Sequence, residues 1–280
     1  RAGAGLMHPF PDEFLPGLSH DDAGILSMAN NGPDTNKSQF FFTLAPAVRL
    51  DYLHTIFGKI VHGRETLARI EPGDAMRRVR IVRIGTEALA YRADWEIFQK
   101  RLHETATHAR ASERGLSAPF FDDPDRLLPD EPPRAKAFNH KLSAFARITG
   151  REVFVRLFAK MPTAAEGARL SDYARDLAAR LGIDKDGVLA ISVADGDEWK
   201  LWIGDELLPL LMGRPGTVEL FMRDGALHQK KEQLLASAKA RLARPGDSTE
   251  PPQQRLKLAC DDLLASLIAA LEPKPPKAGN

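Results

Sequence analysis

Residues 24–63 read GILSMANNGPDTNKSQFFFTLAPAVRLDYLHTIFGKIVHG and contain three runs rich in β-branched and aromatic residues, at 24–29, 38–45 and 55–61. A fourth such run lies at 77–84. Glycine, proline, asparagine and aspartate separate the runs, and short apolar runs between turn-forming residues are typical of β-strands. The spacing therefore predicts an antiparallel β unit, with a helix at 64–70 between the last two strands.

The run at 38–45 predicts two different faces, because side chains alternate sides along a strand. One face would carry Gln39, Phe41 and Thr43, and the other Phe40, Phe42 and Leu44. A phenylalanine in a strand is most often a core residue. On this pattern alone, Phe40, Phe41 and Phe42 are all core candidates.

The same stretch resembles the cyclophilin family of peptidyl-prolyl cis-trans isomerases over forty residues. The resemblance comprises the strand GILSMA, the loop GPDTN at 32–36, the strand SQFF at 38–41, and the ending LD, H and FGK between 50 and 59. Residues 10–20, FPDEFLPGLSH, also fit the family, and the likeness continues to about residue 84. It implies part of a cyclophilin-like antiparallel β-barrel, about half of such a domain.

Cyclophilins catalyse rotation about the Xaa-Pro peptide bond. Amide resonance gives this rotation a barrier of ~18–20 kcal/mol and an uncatalysed time of ~10–100 s. No nucleophile is needed. A catalyst needs an apolar pocket for the proline ring, partners for the flanking backbone, and a donor that stabilises the twisted amide.

The resemblance implies roles for six residues of this chain. Gln39 and His54 would be the catalytic side chains, with Gln39 bonded to the substrate backbone and His54 at the side of the pocket. The remaining substrate-binding residues would be Phe41 and Leu50 in the proline pocket and Ala29 and Asn30 through their main chain. Under this interpretation Phe40 and Phe42 stay core residues.

Two departures from the family pattern bear on activity. Arg49 stands where the family usually has an aromatic residue before the Leu-Asp pair, so sensitivity to cyclosporin-like ligands is not expected. The family's principal catalytic arginine lies in a strand upstream of a glycine-rich loop, and this chain begins within that loop. Losing one such donor typically costs ~100 to 1,000-fold in rate. We therefore expect full isomerase activity of the parent protein and weak activity of these 280 residues.

The rest of the chain predicts a second, α/β domain with C-terminal helices, and hence an α+β multidomain protein. A long helix at 86–114 is followed by an acidic stretch at 117–133 with five prolines, which is typical of a linker. Beyond it the pattern predicts a helix at 134–148, a strand at 152–159, a helix at 168–181, a hairpin at 187–203, and helices at 229–242 and 253–271. The predicted domains are 1–85, 86–133 as helix and linker, 134–272 folding independently, and a disordered tail at 273–280.

Residues 147–213 resemble the TPM-domain family in the order strand, helix, strand, strand and in the sequences LGI, DGVL and WIGD. The resemblance implies an assembly or interaction module, or a phosphatase. Five aspartates lie near its turns: Asp184, Asp186, Asp195, Asp197 and Asp205. They lack the fixed spacing of a calcium loop, so solvated turn residues are the better interpretation.

Composition narrows the functional classes further. A net charge of +1 and a pI near 8.1 do not indicate nucleic-acid or acidic-membrane partners. The single cysteine, Cys260, excludes an intramolecular disulfide and a cysteine-rich zinc site, and we expect no metal and no cofactor. No membrane-spanning run is present, and the compartment, cytoplasmic or periplasmic, stays open. The expected partners are proline-containing peptides or unfolded protein segments, together with an unidentified protein for the C-terminal domain. A binding module without catalysis is the alternative function, and a C-terminal phosphate-ester hydrolase is a third.

Overall fold

The computed structural model describes residues 9–92, 94–100, 102–103, 118–162, 169–243 and 250–273. The chain divides into two compact units. The first lies within Arg1–Glu13, His20–Ala47 and His54–Gly115, and the second within Phe14–Ser19, Val48–Leu53 and Leu116–Asn280. Mixed α and β structure matches the predicted α+β class.

The first unit is built on a three-stranded antiparallel sheet in the order β2-β1-β3. Its strands are β1 (Ile25–Met28), β2 (Phe40–Phe42) and β3 (Ile56–Lys59). Two short helices follow, α1 (Arg64–Leu67) and α2 (Thr86–Ala90), and residues 95–100 and 102–103 are also helical. The first three predicted strands are confirmed, each somewhat shorter than its apolar run.

Two predictions for the first unit are wrong. Residues 77–84 have no regular structure, and Val79, Ile81 and Ile84 are mostly exposed. A strand is defined by its ladder, and this segment pairs with no other described strand. The single helix predicted at 86–114 is also interrupted, because Tyr91 takes an extended conformation directly after α2. The part of that helix beyond residue 103 lies outside the described residues.

The aromatic side chains of β2 alternate between its two faces as predicted, but the face that carries Phe40 and Phe42 does not form a core. The Phe40 and Phe42 rings contact each other edge to face on one side of the strand, at 6.1 Å. Phe40 is 39% exposed and Phe42 is half-buried. The core assignment of Phe40 is therefore wrong, since among the described residues no packed layer covers this face.

The second unit contains a mixed four-stranded sheet in the order β4-β5-β6-β7. Its strands are β4 (Phe121–Asp122), β5 (Val153–Phe158), β6 (Val188–Val193) and β7 (Glu198–Ile203). The first three run parallel, and β7 returns antiparallel to β6 through the predicted hairpin. All six residues of β6 are buried, as expected for a central strand covered on both faces.

Helices complete the second unit. They are α3 (Arg134–Thr149), α4 (Leu170–Leu181), α5 (Leu208–Met212), α6 (Val218–Arg223), α7 (Ala226–Leu242) and α8 (Pro252–Leu271). The four longer helices confirm the sequence-based predictions. None of the helices in the described parts of the chain is long and apolar enough to cross a membrane.

The second unit takes in more of the chain than the predicted domain at 134–272. The acidic, proline-rich stretch carries β4, and Phe120, Phe121 and Leu128 within it are almost completely buried. The Asp123 carboxylate accepts hydrogen bonds from the backbone N–H groups of Leu127 and Leu128. These bonds order the stretch without a helix or a long strand. The turn Val48–Leu53 also belongs to this unit. The stretch predicted as a linker is therefore part of a core.

Candidate functional site

Phe41 lies between two histidine rings in the first unit. It pairs with Ser27 of the neighbouring strand, which fixes its position along β2. The His20 ring lies parallel to the Phe41 ring, with centroids 6.2 Å apart. The His54 ring meets Phe41 edge to face at 5.6 Å. An aromatic side chain with a ring on each side has little rotamer freedom, so Phe41 offers a preorganised apolar surface.

His20 is held by a buried chain of polar groups. Its Nε2 lies 2.9 Å from Ser27 Oγ, and the Ser27 hydroxyl donates to the Thr55 carbonyl oxygen at 3.0 Å. Since that hydroxyl has only one proton, His20 Nε2 must carry the proton of the other bond and donate to Ser27 Oγ. The local sequence pattern does not single out His20, because its role depends on contacts with Ser27 of β1 and Phe41 of β2.

His54 is fixed against the end of β1. Its Nδ1 lies 2.9 Å from the Met28 carbonyl oxygen. A carbonyl can only accept, so Nδ1 is protonated and donates. The Met28 N–H in turn donates to the Thr55 carbonyl oxygen, which ties the residue after His54 to the same strand. The hydrogen bond to the Met28 carbonyl therefore fixes the His54 ring in its edge-to-face contact with Phe41.

The loop at 30–36 is clamped by a buried carboxylate, Asp12. The Asp12 N–H donates to Asp34 Oδ1, and the Asp34 N–H donates to Asp12 Oδ2, both at 2.9 Å. Asn36 and Asn30 donate from their side-chain amides to Asp12 Oδ1 at 2.7 and 3.4 Å. Burial raises the pKa of Asp12, and the hydrogen bonds from the Asp34 N–H and the Asn36 amide oppose the rise. The clamp orders the loop that carries Asn30.

Five of the six predicted site residues belong to the first unit. Ala29, Asn30, Phe41 and His54 are half-buried, and Gln39 is exposed, with its carbonyl oxygen accepting a hydrogen bond from the Ala29 N–H at 2.9 Å. That N–H is therefore already used in the bond to Gln39, directly before β2. Leu50 belongs to the second unit.

Residues 2–86 match the family model of cyclophilin type peptidyl-prolyl cis-trans isomerase/CLD. We call residues 2–86 the cyclophilin-type segment, after the family model that they match. Peptidyl-prolyl cis-trans isomerase-like 1 of Gibberella zeae is 50% identical over 88 residues, which cover 30% of this chain and 54% of that protein. Peptidyl-prolyl cis-trans isomerase 10 of Caenorhabditis elegans is 56% identical over 63 residues, covering 22% of this chain and 39% of that one. The chain spans about half or less of the length of these curated relatives.

Two further proteins are similar to this chain. Peptidyl-prolyl cis-trans isomerase-like 2 of Rhizopus delemar is 45% identical over 108 residues, 38% of this chain and 20% of that protein. A crystal structure of a Cryptosporidium parvum cyclophilin type isomerase is 43% identical and covers 25% of this chain and 44% of that one, with a TM-score of 0.22. A second structure of that protein was determined in the presence of the dipeptide Ala-Pro. The family match concerns residues 2–86, and the TPM-like character of the C-terminal part stays a prediction.

Neither unit offers an evident metal centre in its described part. No three histidine, cysteine, aspartate or glutamate side chains converge there in an arrangement that could hold an ion. The five turn aspartates of the second unit are all exposed, as solvated turn residues would be. The contacts described for the first unit offer apolar contact and hydrogen bonding around Phe41.

Proposed function

We propose that the cyclophilin-type segment forms the peptide-binding side of a peptidyl-prolyl cis-trans isomerase site, with Phe41 as the apolar contact for the proline ring. The observation that carries this proposal is the fixed position of Phe41 between His20 and His54. It is supported by the family match over residues 2–86 and by relatives that bear the isomerase name. The Ala-Pro dipeptide used with the Cryptosporidium protein suggests the ligand class, a proline-containing peptide.

Each of the remaining site residues has a role that its position permits. Gln39 is exposed and carries an amide that can both donate to and accept from a peptide backbone. His54, with its Nδ1 bonded to Met28, closes one side of the pocket. Ala29 and Asn30 offer main-chain groups, and Leu50 is proposed as a second apolar contact on the strength of the family motif.

The reaction forms and breaks no covalent bond, so the site acts through differential binding. A pocket that holds the proline ring while hydrogen bonds hold the preceding residues favours the twisted amide over both planar isomers. The donor that would stabilise this twist is not among the six proposed residues. We further propose that β1, β2 and β3 are part of a larger barrel, since β2 and β3 each have one edge that no described strand covers.

The experiment is exchange NMR on a proline-containing tetrapeptide with the 280-residue chain, Phe41→Ala and Phe57→Ala. Phe57 is a matched control, because it lies on β3 of the same sheet and is 53% exposed. We expect slow but measurable cis-trans exchange with the wild type, ~100 to 1,000-fold below an intact cyclophilin, because none of the six proposed residues is assigned as the donor to the twisted amide. Phe41→Ala should abolish the exchange and Phe57→Ala should retain it. Binding without exchange would support the non-catalytic alternative instead, and full cyclophilin activity would refute the need for such a donor.

A further inference from the structure

Lys141 of α3 is a buried cation in the second unit that the proposed site does not use. Its side chain is about 1% exposed, although lysine is almost never fully buried without a partner. Its Nζ donates to the carbonyl oxygens of Val48 at 3.3 Å and Arg49 at 3.1 Å. Both acceptors lie in the single helical turn Val48–Leu50, far from Lys141 in sequence.

Burial of the Lys141 ammonium is unfavourable unless hydrogen bonds replace those it made with water. Burial lowers the pKa of Lys141 to about 8. The Asp51 and Asp261 carboxylates oppose this shift, whereas Arg49 and Lys257 reinforce it. Asp261 is itself paired with Lys257, whose Nζ lies 2.5 Å from its carboxylate. An ammonium held under these conditions depends on its hydrogen bonds, and two of them go to the Val48–Leu50 turn.

A second anchor holds the other end of the same segment. Tyr52 has a left-handed backbone, with φ of 59°, and is 6% exposed. Its hydroxyl donates to Glu272 Oε1 at 2.5 Å, directly after α8, and its ring meets Phe145 of α3 edge to face at 5.2 Å. Burial raises the pKa of Tyr52, so this hydroxyl stays protonated and remains a donor at neutral pH. Hydrogen bonds from Lys141 thus hold the Val48–Leu50 turn, and Tyr52 anchors the residues that follow it.

The outer side of the turn stays open. Val48 is 38% exposed, the Arg49 side chain is exposed and Leu50 is half-buried. The second unit therefore holds the backbone of this turn while leaving its side chains available to a ligand.

We propose that Lys141 is a positioning residue that sets the conformation of the Val48–Leu50 turn and thereby the orientation of Leu50 toward a proline-containing peptide. This proposal rests on the proposed function for the contact at Leu50. It makes Lys141 a determinant of peptide affinity.

The test uses the full chain with Lys141→Met, which keeps the length and apolar character of the side chain and removes its donors. Lys136→Met is the matched control, because Lys136 is an exposed lysine of the same helix. Lys141→Gln, which keeps an uncharged donor, is the second variant should Lys141→Met not fold. Folding of each variant is checked by its unfolding midpoint.

Two readouts are recorded on each variant. The first is the ¹⁵N chemical shift of the Arg49 and Leu50 amides, whose nitrogens are bonded to the carbonyl carbons that Lys141 holds. The second is the dissociation constant for a tetrapeptide containing Ala-Pro. We expect Lys141→Met to move both amide resonances and to weaken the peptide ~10-fold, the size of effect that a lost charged hydrogen bond can have. Lys141→Gln should fall between Lys141→Met and the wild type.

The outcomes separate this inference from the proposed function. Peptide binding by the wild type that Lys141→Met leaves unchanged would overturn the role of Lys141 and leave the Phe41 site standing. Equal effects of Lys141→Met and Lys136→Met would also overturn it. A wild-type chain that binds no proline peptide would contradict the proposed function, and the inference with it.

Discussion

Removing all residues before Arg134 should destabilise the second unit severely, although the sequence alone suggests an independent domain from that point. The fragment 134–280 lacks four side chains that are buried in the core of this unit: Tyr52, Phe120, Phe121 and Leu128. It also lacks β4, which forms the outer edge of the mixed sheet beside β5. The fragment would therefore expose the apolar surface that these groups cover.

The size of the effect follows from burial. Truncating a buried phenylalanine costs ~3–5 kcal/mol, and a buried leucine ~2–5 kcal/mol. Three aromatic losses and one leucine loss add up to ~11–20 kcal/mol, which is as large as the whole free energy of unfolding of a typical domain, ~5–15 kcal/mol. The fragment 116–280 keeps three of the four side chains but loses Tyr52, which alone should cost ~3–5 kcal/mol. It also loses the Val48 and Arg49 carbonyls that Lys141 Nζ bonds to, so its total loss should be larger.

Urea unfolding of the full chain, the two fragments and the full-length variant Tyr52→Ala measures these differences. We expect a graded series, with fragment 116–280 less stable than Tyr52→Ala, because it also lacks the acceptors of Lys141, and with fragment 134–280 showing no cooperative transition. Tyr91→Ala, at a residue 48% exposed in the first unit, should change stability by less than ~0.5 kcal/mol. A cooperative transition of fragment 134–280 at the midpoint of fragment 116–280 would refute the place of residues 116–133 in the core.

Three further predictions test particular contacts. Gly204→Ala should lower stability by ~1–3 kcal/mol in urea unfolding, because a Cβ there would lie 2.3 Å from the Lys185 carbonyl carbon and oxygen; unchanged stability would contradict this close approach. The pKa of Lys141 falls from an ordinary 10.5 to about 8 on folding, so the unfolded state binds more protons between these values. The free energy of unfolding of the wild type should therefore rise with pH over that window relative to Lys141→Met, by on the order of 3 kcal/mol, and equal slopes would show that Lys141 titrates normally. Phe40→Ala should cost less than ~2 kcal/mol, below the range for a fully buried phenylalanine, because Phe40 is 39% exposed; a loss of ~3–5 kcal/mol would mean that this face is packed.

Local sequence patterns predicted the strands and long helices well. The runs around β1, β2 and β3 are short, apolar and bounded by turn residues, so each has a local signal. The same holds for β5, β6 and β7 and for the amphipathic helices between and after them. Alternation along β2 also predicted that Phe41 and Phe40 lie on opposite faces.

Features that depend on distant partners were not predictable. Strand β4 has two residues in an acidic, proline-rich stretch and exists only because Phe121 pairs in parallel with Val155. Residues 77–84 show the reverse case, in which a strand-like pattern lacks a described partner. Tyr52 bonds to Glu272, a residue 220 positions away, and no local pattern reports such a contact.

The same distinction between local patterns and distant contacts applies to the residues of the candidate site. The family motif identified Gln39, Phe41 and His54 from the sequence, but it did not identify His20 or Asp12. Both act by holding other residues, through a hydrogen bond to Ser27 and through the clamp on the loop at 30–36. Such supporting roles are visible only when the chain is folded.

The central claim is that the surface around Phe41 binds proline-containing peptides, and mapping of amide chemical shifts on the ¹⁵N-labelled 280-residue chain tests it most directly. A tetrapeptide containing Ala-Pro is titrated into the wild type and into Phe41→Ala. We predict saturable shifts at Gln39, Phe41 and His54 in the wild type, absent in Phe41→Ala and much larger than any shift in β6. Saturable shifts confined to the second unit, or equal shifts in Phe41→Ala, would contradict the claim.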